Sequence, residues 1–323
     1  MKAIVRHKYG ASDVLELANL AKPAPAEDEV LIRVRAAGLN PYDWHMMRGT
    51  PWPLRMMIGL AKPKQIRLGV DVAGTVVGFG KGVTEFRLGD EVFGSADGAL
   101  GEYVCGKASG LVGRPANVSS EEACVLPIAG LTALQALRDK GHVQPGHSVL
   151  INGAAGGVGT FAVQLAKWQG ARVTGVCSSR NLEMVRSIGA ERTIDYTDED
   201  FATGNGHYDV IFDLVGNRPL RDFRKVLKPN GVYIGCGGGG PDTPAGELIG
   251  GMLKQMIAGW FTRQKFVGVL AKRSKADLEI LRELLASGLI RPVIDRTYSL
   301  SEVPEAIRYL EQRHARGKVL VQI

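Results

Sequence analysis

The spacing of hydrophobic and polar positions changes character near residue 120. Before it, short β-type runs recur between turn residues: Lys2 to Arg6, Glu29 to Ala37, Val70 to Gly78 and Asp90 to Phe93. Apolar and polar residues alternating over short runs predict half-buried strands. Gly74, Gly78, Gly80, Gly82, Gly89 and Gly94 punctuate them, as expected where a partly open β-barrel bends sharply. Ser119-Ser120-Glu121-Glu122 then predicts a helix start, by its hydroxyl caps and early negative charge, and the apolar-rich Ala123 to Leu137 follows. From there strands and helices alternate. Strands are predicted at Ser148 to Asn152, Arg172 to Cys177, Thr193 to Tyr196, Asp209 to Val215 and Gly231 to Gly235; helices at Val158 to Gln169, Leu182 to Ile188 and Leu220 to Val226. Such alternation implies an α/β domain with a doubly wound parallel sheet covered on both faces. The last stretch departs again, with helical Lys275 to Ser287, extended Ile290 to Tyr298, helical Val303 to Gln312 and strand-like Lys318 to Ile323. We expect a first domain over 1–120, a second over 121–265, and a return segment over 266–323 that completes the first.

Composition narrows the classes. At 323 residues, 45% hydrophobic and 23% charged, the chain has the make-up of a folded, water-soluble protein of two domains. Its net charge of +7 is scattered among acidic residues without a like-charge block, which argues against nucleic acid and suits an anionic ligand. No apolar stretch reaches the roughly 20 residues of a spanning helix, and nothing reads as a signal peptide, so neither membrane nor secretion is expected. Cys105, Cys124, Cys177 and Cys236 lie far apart without a C-x-x-C pair, which favours a reducing, cytoplasmic compartment and small buried thiols. Gly237-Gly238-Gly239-Gly240-Pro241 reads as a flexible loop.

One motif carries chemistry. Val149-Leu150-Ile151-Asn152 leads into Gly153-Ala154-Ala155-Gly156-Gly157-Val158-Gly159 and then into an amphipathic helix with Phe161, Ala162, Leu165 and Ala166 on one face. In a strand, glycine turn and helix of this kind, the backbone approaches a pyrophosphate closely, and free N–H groups with the helix dipole stabilise its charge. An Asp or Glu about 20 residues beyond the glycines would bind the adenosine ribose of NADH. Here the second strand ends instead in Cys177-Ser178-Ser179-Arg180-Asn181, whose hydroxyls and guanidinium suit a 2′-phosphate, so NADPH is the expected cofactor.

With these residues in view, the whole chain resembles the medium-chain dehydrogenase/reductase superfamily. The motifs are collinear: Ala36-Ala37-Gly38-Leu39-Asn40-Pro41-x-Asp43, Gly69-Val70-Asp71-Val72-Ala73-Gly74, Gly89-Asp90-x-Val92-Phe93-Gly94, Gly101-Glu102-Tyr103, Ala129-Gly130-Leu131-Thr132-Ala133, the glycine turn, and Gly317-Lys318-Val319-Leu320-Val321. The resemblance implies a GroES-like catalytic domain and a Rossmann domain. Zinc-dependent members place a Cys near the first motif and Gly-His-Glu in the second; here those places hold Asn40 and Gly69-Val70-Asp71, and the four-cysteine lobe is absent. Asp43 and His45 alone do not make a tetrahedral site, so no metal is expected. The quinone oxidoreductase-like, zinc-independent branch is the one resembled. Without a Lewis acid, an electron-poor acceptor such as a quinone or an α,β-unsaturated carbonyl is the accessible substrate, because it delocalises the incoming charge.

Further roles follow from the resemblance. Asn40 is the candidate pocket amide, against a turn-stabilising role. His45 falls where related quinone oxidoreductases carry a Tyr near the substrate, and could hydrogen-bond or protonate the product. Thr132 resembles a residue that approaches the nicotinamide, and Tyr196 one near the adenosine phosphate. Val215-Gly216-Asn217 and Gly235-Cys236-Gly237 occupy the strand-end loops that a dinucleotide crosses, with Cys236 not expected as a nucleophile. The apolar Thr50 to Ile58 segment is expected as a loop forming a lid or pocket wall, or as a packing contact. Two alternatives stand beside the leading reading: another zinc-free carbonyl or alcohol oxidoreductase, and a catalytically weak NADPH-binding sensor. A homodimer is expected from the resemblance alone.

Overall fold

In the computed structural model, residues 1–203, 207–237, 246, 250 and 262–323 are described. Residues 238–241 of the glycine-rich loop lie outside them. By compactness the chain forms two units: Met1–Leu131, Arg273–Gly288 and Pro292–Ile323 make unit 1, and Thr132–Lys272 with Leu289–Arg291 make unit 2.

Unit 1 is a barrel-like, mostly antiparallel sheet with a small appended ribbon. β1 (Lys2–Val5) pairs with β2 (Glu16–Asn19). β3 (Glu29–Leu39) is flanked by β4 (Asp71–Phe79) and β6 (Tyr103–Lys107), while β5 (Glu91–Ser95) joins β4 to β7 (Leu111–Gly113). Val30, Ile32 and Val34 of β3 face the core while Arg33 and Arg35 face out, the alternation of a half-buried strand. From Ala36 the alternation stops and both faces are buried. The helix Ser120–Cys124 packs on β3 and β4, which is why the change of period at residue 120 falls inside unit 1.

Unit 2 holds β8 (Ser148–Asn152), β9 (Arg172–Cys177), β10 (Arg192–Asp195), β11 (Tyr208–Asp213), β12 (Leu227–Gly235) and β13 (Lys265–Gly268), all parallel, in the order β10-β9-β8-β11-β12-β13. Val149, Leu150 and Ile151 of β8 are fully buried, as a central strand covered on both faces requires. Strand order reverses between β8 and β11, and such a switch point opens a crevice at the carboxyl ends of the strands. β13 extends the sheet past residue 265, so the return to unit 1 begins at Arg273. There the helix Lys275–Ala286 packs on β7, and β14 (Ile294–Ser299) lies parallel to β15 (Lys318–Gln322), which closes antiparallel onto β3.

The Thr50 to Ile58 stretch differs from the expected loop. Trp52–Leu54 forms a 3-10 turn and Arg55–Ile58 a single helical turn, with Trp52, Met56 and Met57 exposed.

Candidate functional site

In unit 2 the glycine turn has the geometry of a phosphate cradle. Gly153 sits at φ +87°, and a Cβ on Gly159 would lie 2.1 Å from the Gly153 carbonyl oxygen, so neither position accepts a side chain. Gly156 caps the helix Gly157–Trp168, and a Cβ there would meet only the Gly153 oxygen, at 3.5 Å. The space over this turn is therefore open. The first-turn N–H groups of the helix have no intrahelical acceptor, and the turn leading into them is built of the small residues Gly153, Ala154, Ala155, Gly156 and Gly157. A pyrophosphate fits.

At the end of β9, Ser178 is half-buried while Ser179 and Arg180 are exposed. Asn181 holds the turn by donating from its backbone to the Ser178 carbonyl at 2.9 Å and from Nδ2 to Ser178 Oγ at 3.2 Å. Sequence reasoning missed one neighbour. Asp195 ends β10 in register with Cys177, and its carboxyl is held below the usual range by hydrogen bonds from Ser179 and then from Thr197. A carboxylate thus stands beside the place read as free of one, with Ser179 and Thr197 as its donors. No sequence signal marks it, because only strand pairing brings the two positions together. Tyr196 follows Asp195 with its ring exposed, its N–H bonded to the Cys177 carbonyl at 3.2 Å.

Thr132 is buried in the helix Pro127–Gln135. Val215, Gly216, Gly235 and Cys236 sit at the carboxyl ends of β11 and β12, on the crevice side of the switch point. Burial, and then the Asp213 charge, push the Cys236 thiol up to about 12, so it is not a thiolate at neutral pH.

In unit 1 a buried polar cluster surrounds Asn40. Its Nδ2 donates to Asp71 Oδ2 at 2.9 Å, and its Oδ1 accepts from Lys318 Nζ. Lys318 Nζ also donates to the Leu39 carbonyl at 3.0 Å and lies 3.9 Å from Asp71 Oδ2. Asp71 in turn accepts from the Ile128 N–H at 3.1 Å, capping the helix Pro127–Gln135. Asn40 itself precedes the helix Pro41–Arg48, and its N–H donates to Asp43 Oδ2 at 2.8 Å. Burial pushes Asp43 up to about 7 and Asp71 up to about 6, the latter opposed mainly by Lys318; burial lowers Lys318. Arg6 is also buried, and burial lowers its guanidinium pKa against the opposing pull of Tyr9, Tyr42 and Asp43; no sequence motif announces it.

The Asn40 amide is thus largely committed to the fold, keeping one oxygen lone pair and a hydrogen whose other acceptor, the Gly38 carbonyl, is 3.5 Å away. His45 stacks on Trp44 with ring centroids 3.7 Å apart, and its Nδ1 lies 2.7 Å from the Thr50 carbonyl oxygen. That contact puts the proton on Nδ1. Burial lowers the His45 pKa, so the neutral ring leaves Nε2 as an acceptor.

This donor set does not fit zinc. Asn40 and Asp71 are both engaged with the Lys318 ammonium, whose positive charge opposes a divalent cation in the same cluster. Among the described residues, no group of three or more His, Cys, Asp or Glu could hold a metal ion.

Comparison with known proteins agrees with the architecture. Residues 26–134 match the family described as alcohol dehydrogenase GroES-like domain, and residues 188–321 the one described as zinc-binding dehydrogenase. The chain is 32% identical to the "Quinone-oxidoreductase homolog, chloroplastic" of Spinacia oleracea, over 100% of this chain and 98% of that one. It is 34% identical to the "NADPH-dependent alkenal/one oxidoreductase, chloroplastic" of Arabidopsis thaliana, over 99% of this chain and 79% of the relative. The Escherichia coli quinone oxidoreductase, solved in complex with NADPH, superposes with a TM-score of 0.83 at 26% identity, with 100% of both chains covered. Strand order, glycine cradle and these likenesses together make the chain a member of the medium-chain dehydrogenase/reductase superfamily of oxidoreductases, in its quinone oxidoreductase-like branch.

Proposed function

We propose that the protein reduces quinones or α,β-unsaturated carbonyls with NADPH and without zinc. The observation that carries this reading is the buried Lys318 ammonium bonded to Asn40 beside Asp71, where zinc-dependent relatives keep metal ligands. A site so filled favours acceptors that spread negative charge themselves. The names of the spinach and Arabidopsis relatives, and the NADPH bound to the Escherichia coli structure, point the same way for those proteins.

When bound, NADPH supplies a hydride from its nicotinamide ring. The residues of this chain do the holding. The Gly153 to Gly159 turn receives the pyrophosphate, Ser178 and Arg180 take the 2′-phosphate, and Tyr196 lies beside the adenosine end. Thr132, Val215, Gly216, Gly235 and Cys236 line the path of the nicotinamide half. Asn40 offers its weakly engaged amide hydrogen to the acceptor oxygen. His45, neutral with Nε2 as acceptor, orders a hydroxyl or water that delivers the proton. The four cysteines are unpaired, as suits a reducing compartment such as the cytoplasm.

The test is a panel of quinones, enones, aldehydes and alcohols followed by NADPH absorbance, with and without a strong chelator. Quinones and enones are expected to turn over, alcohols to stay inert, and the chelator to change nothing. Alcohol oxidation that the chelator abolishes overturns the reading.

A further inference from the structure

No Asp or Glu lies between Asp43 and Asp71, while Arg48, Arg55, Lys62, Lys64 and Arg67 all do. Out of this cationic stretch stand four large apolar side chains: Trp52 is 61% exposed, Met56 66%, Met57 77% and Leu60 65%. One exposed apolar residue is ordinary. Four between Trp52 and Leu60 form a patch that marks a contact with something other than water.

The patch rests on a fixed base. Tyr9 donates its hydroxyl to the Gly59 carbonyl at 2.7 Å. Arg55 donates from Nε to the Gly49 carbonyl at 3.0 Å and from Nη2 to the Arg48 carbonyl at 3.1 Å, with its guanidinium 4.5 Å from the centre of the Tyr9 ring. The Ile58 carbonyl accepts the Lys64 N–H at 2.8 Å. These bonds hold the backbone, so the apolar side chains are presented outward on a firm support. Cations lie among them. Lys64 Nζ donates to the Met57 carbonyl at 3.4 Å, Arg55 directly precedes Met56, and Lys62, close after Leu60, is exposed. Among the described residues no carboxylate pairs with Arg55, Lys62 or Lys64, so their charge is not cancelled locally.

The two properties together select the partner. A purely apolar face would cover the exposed side chains and strand the cations; a polyanion such as nucleic acid would meet the cations and leave the apolar side chains wet. An anionic bilayer offers both in layers, phosphates outside and hydrocarbon beneath. Tryptophan favours that boundary, and the long stems of lysine and arginine reach back from it to the phosphates. We propose that residues 52–64 dock the protein on the surface of an anionic lipid bilayer, with Trp52, Met56, Met57 and Leu60 entering the headgroup boundary and Arg55, Lys62 and Lys64 meeting the phosphates. No spanning helix is needed, and among the described residues none is long and apolar enough to cross. The proposal holds whichever acceptor the enzyme reduces; for a quinone dissolved in lipid it places the protein at the source of its substrate.

Co-sedimentation of the full chain with vesicles tests it, comparing phosphatidylcholine alone with an equal mixture of phosphatidylcholine and phosphatidylglycerol. The protein is expected to bind the mixture about tenfold or more tightly than phosphatidylcholine, and to lose that binding about tenfold or more when Met56→Ser is combined with Met57→Ser, or Lys62→Glu with Lys64→Glu. If either double variant does not fold, Trp52→Phe decides: mixed vesicles shift the tryptophan emission of the wild type to shorter wavelength and leave that of the variant in place. Binding that ignores headgroup charge, or that either double variant retains, overturns the proposal. So does an emission shift that Trp52→Phe keeps. Wild-type protein that stays in the supernatant also overturns it; a wild-type dimer in sedimentation velocity that becomes a monomer in the methionine double variant then assigns the patch to a second copy of this chain. The acceptor panel is run without vesicles, so the functional reading and this one fail separately.

Discussion

The proposed preference for NADPH rests, at the residue scale, on the exposed Arg180 at the end of β9. If the guanidinium receives the 2′-phosphate, its hydrogen bonds to a charged group are worth about 1.5–3 kcal/mol. Arg180→Ala is then expected to weaken NADPH roughly ten- to a hundredfold and NADH hardly at all, read by fluorescence titration of both nucleotides. Equal weakening of the two would reassign Arg180 to the fold. A second residue-scale prediction concerns Asp43, fully buried, with Oδ1 lacking a hydrogen-bond partner among the described residues. Burial raises its carboxyl from 3.8 to about 7, so between those values the folded state holds a proton that the unfolded chain has released. The stability contributed by this group is complete below the lower value and lost as pH rises through the upper one. Asp43→Asn removes that dependence. In urea unfolding the variant should gain on the wild type as pH rises from about 4 to about 7 and gain no further above that; a constant difference across this range would show that Asp43 does not titrate in it.

Elements differ in how far the sequence discloses them. β8, β9 and the helix Leu220–Val226 were legible residue by residue, because a buried strand or an amphipathic turn bounded by Gly, Pro and polar residues is written locally. The glycine turn was legible for the same reason. The one-turn helix Arg55–Ile58 was not, since Pro51 and Pro53 advertise a loop and four residues carry no period. Nor was the cluster around Asn40, Asp71 and Lys318. It depends on β15 lying against β3, with Leu39 opposite Val319, and no window of sequence contains both. Likewise Asp195 acquires its meaning from strand pairing, which composition and motif do not report. The pairing of β15 with β3 makes its own prediction. Lys318→Met leaves the Asp71 carboxyl buried without its cation and is expected to cost about 3–5 kcal/mol in urea unfolding. Lys318→Met combined with Asp71→Asn should recover part of that loss. A single variant within about 1 kcal/mol of wild type would remove the ammonium from the stability of this sheet.

At the scale of the whole molecule, unit 2 is almost one continuous stretch, whereas unit 1 is assembled from three. The bond from Lys318 to Asn40 spans 278 residues. A ribosome therefore releases the polypeptide for the entire parallel sheet before it makes the lysine that completes the cluster beside β3. At the usual pace of roughly 5–20 residues per second, Asn40, Asp43 and Asp71 wait some tens of seconds without their ammonium. During that interval the aspartates remain hydrated. The polar heart of unit 1 is consequently among the last parts of the newborn protein to dry.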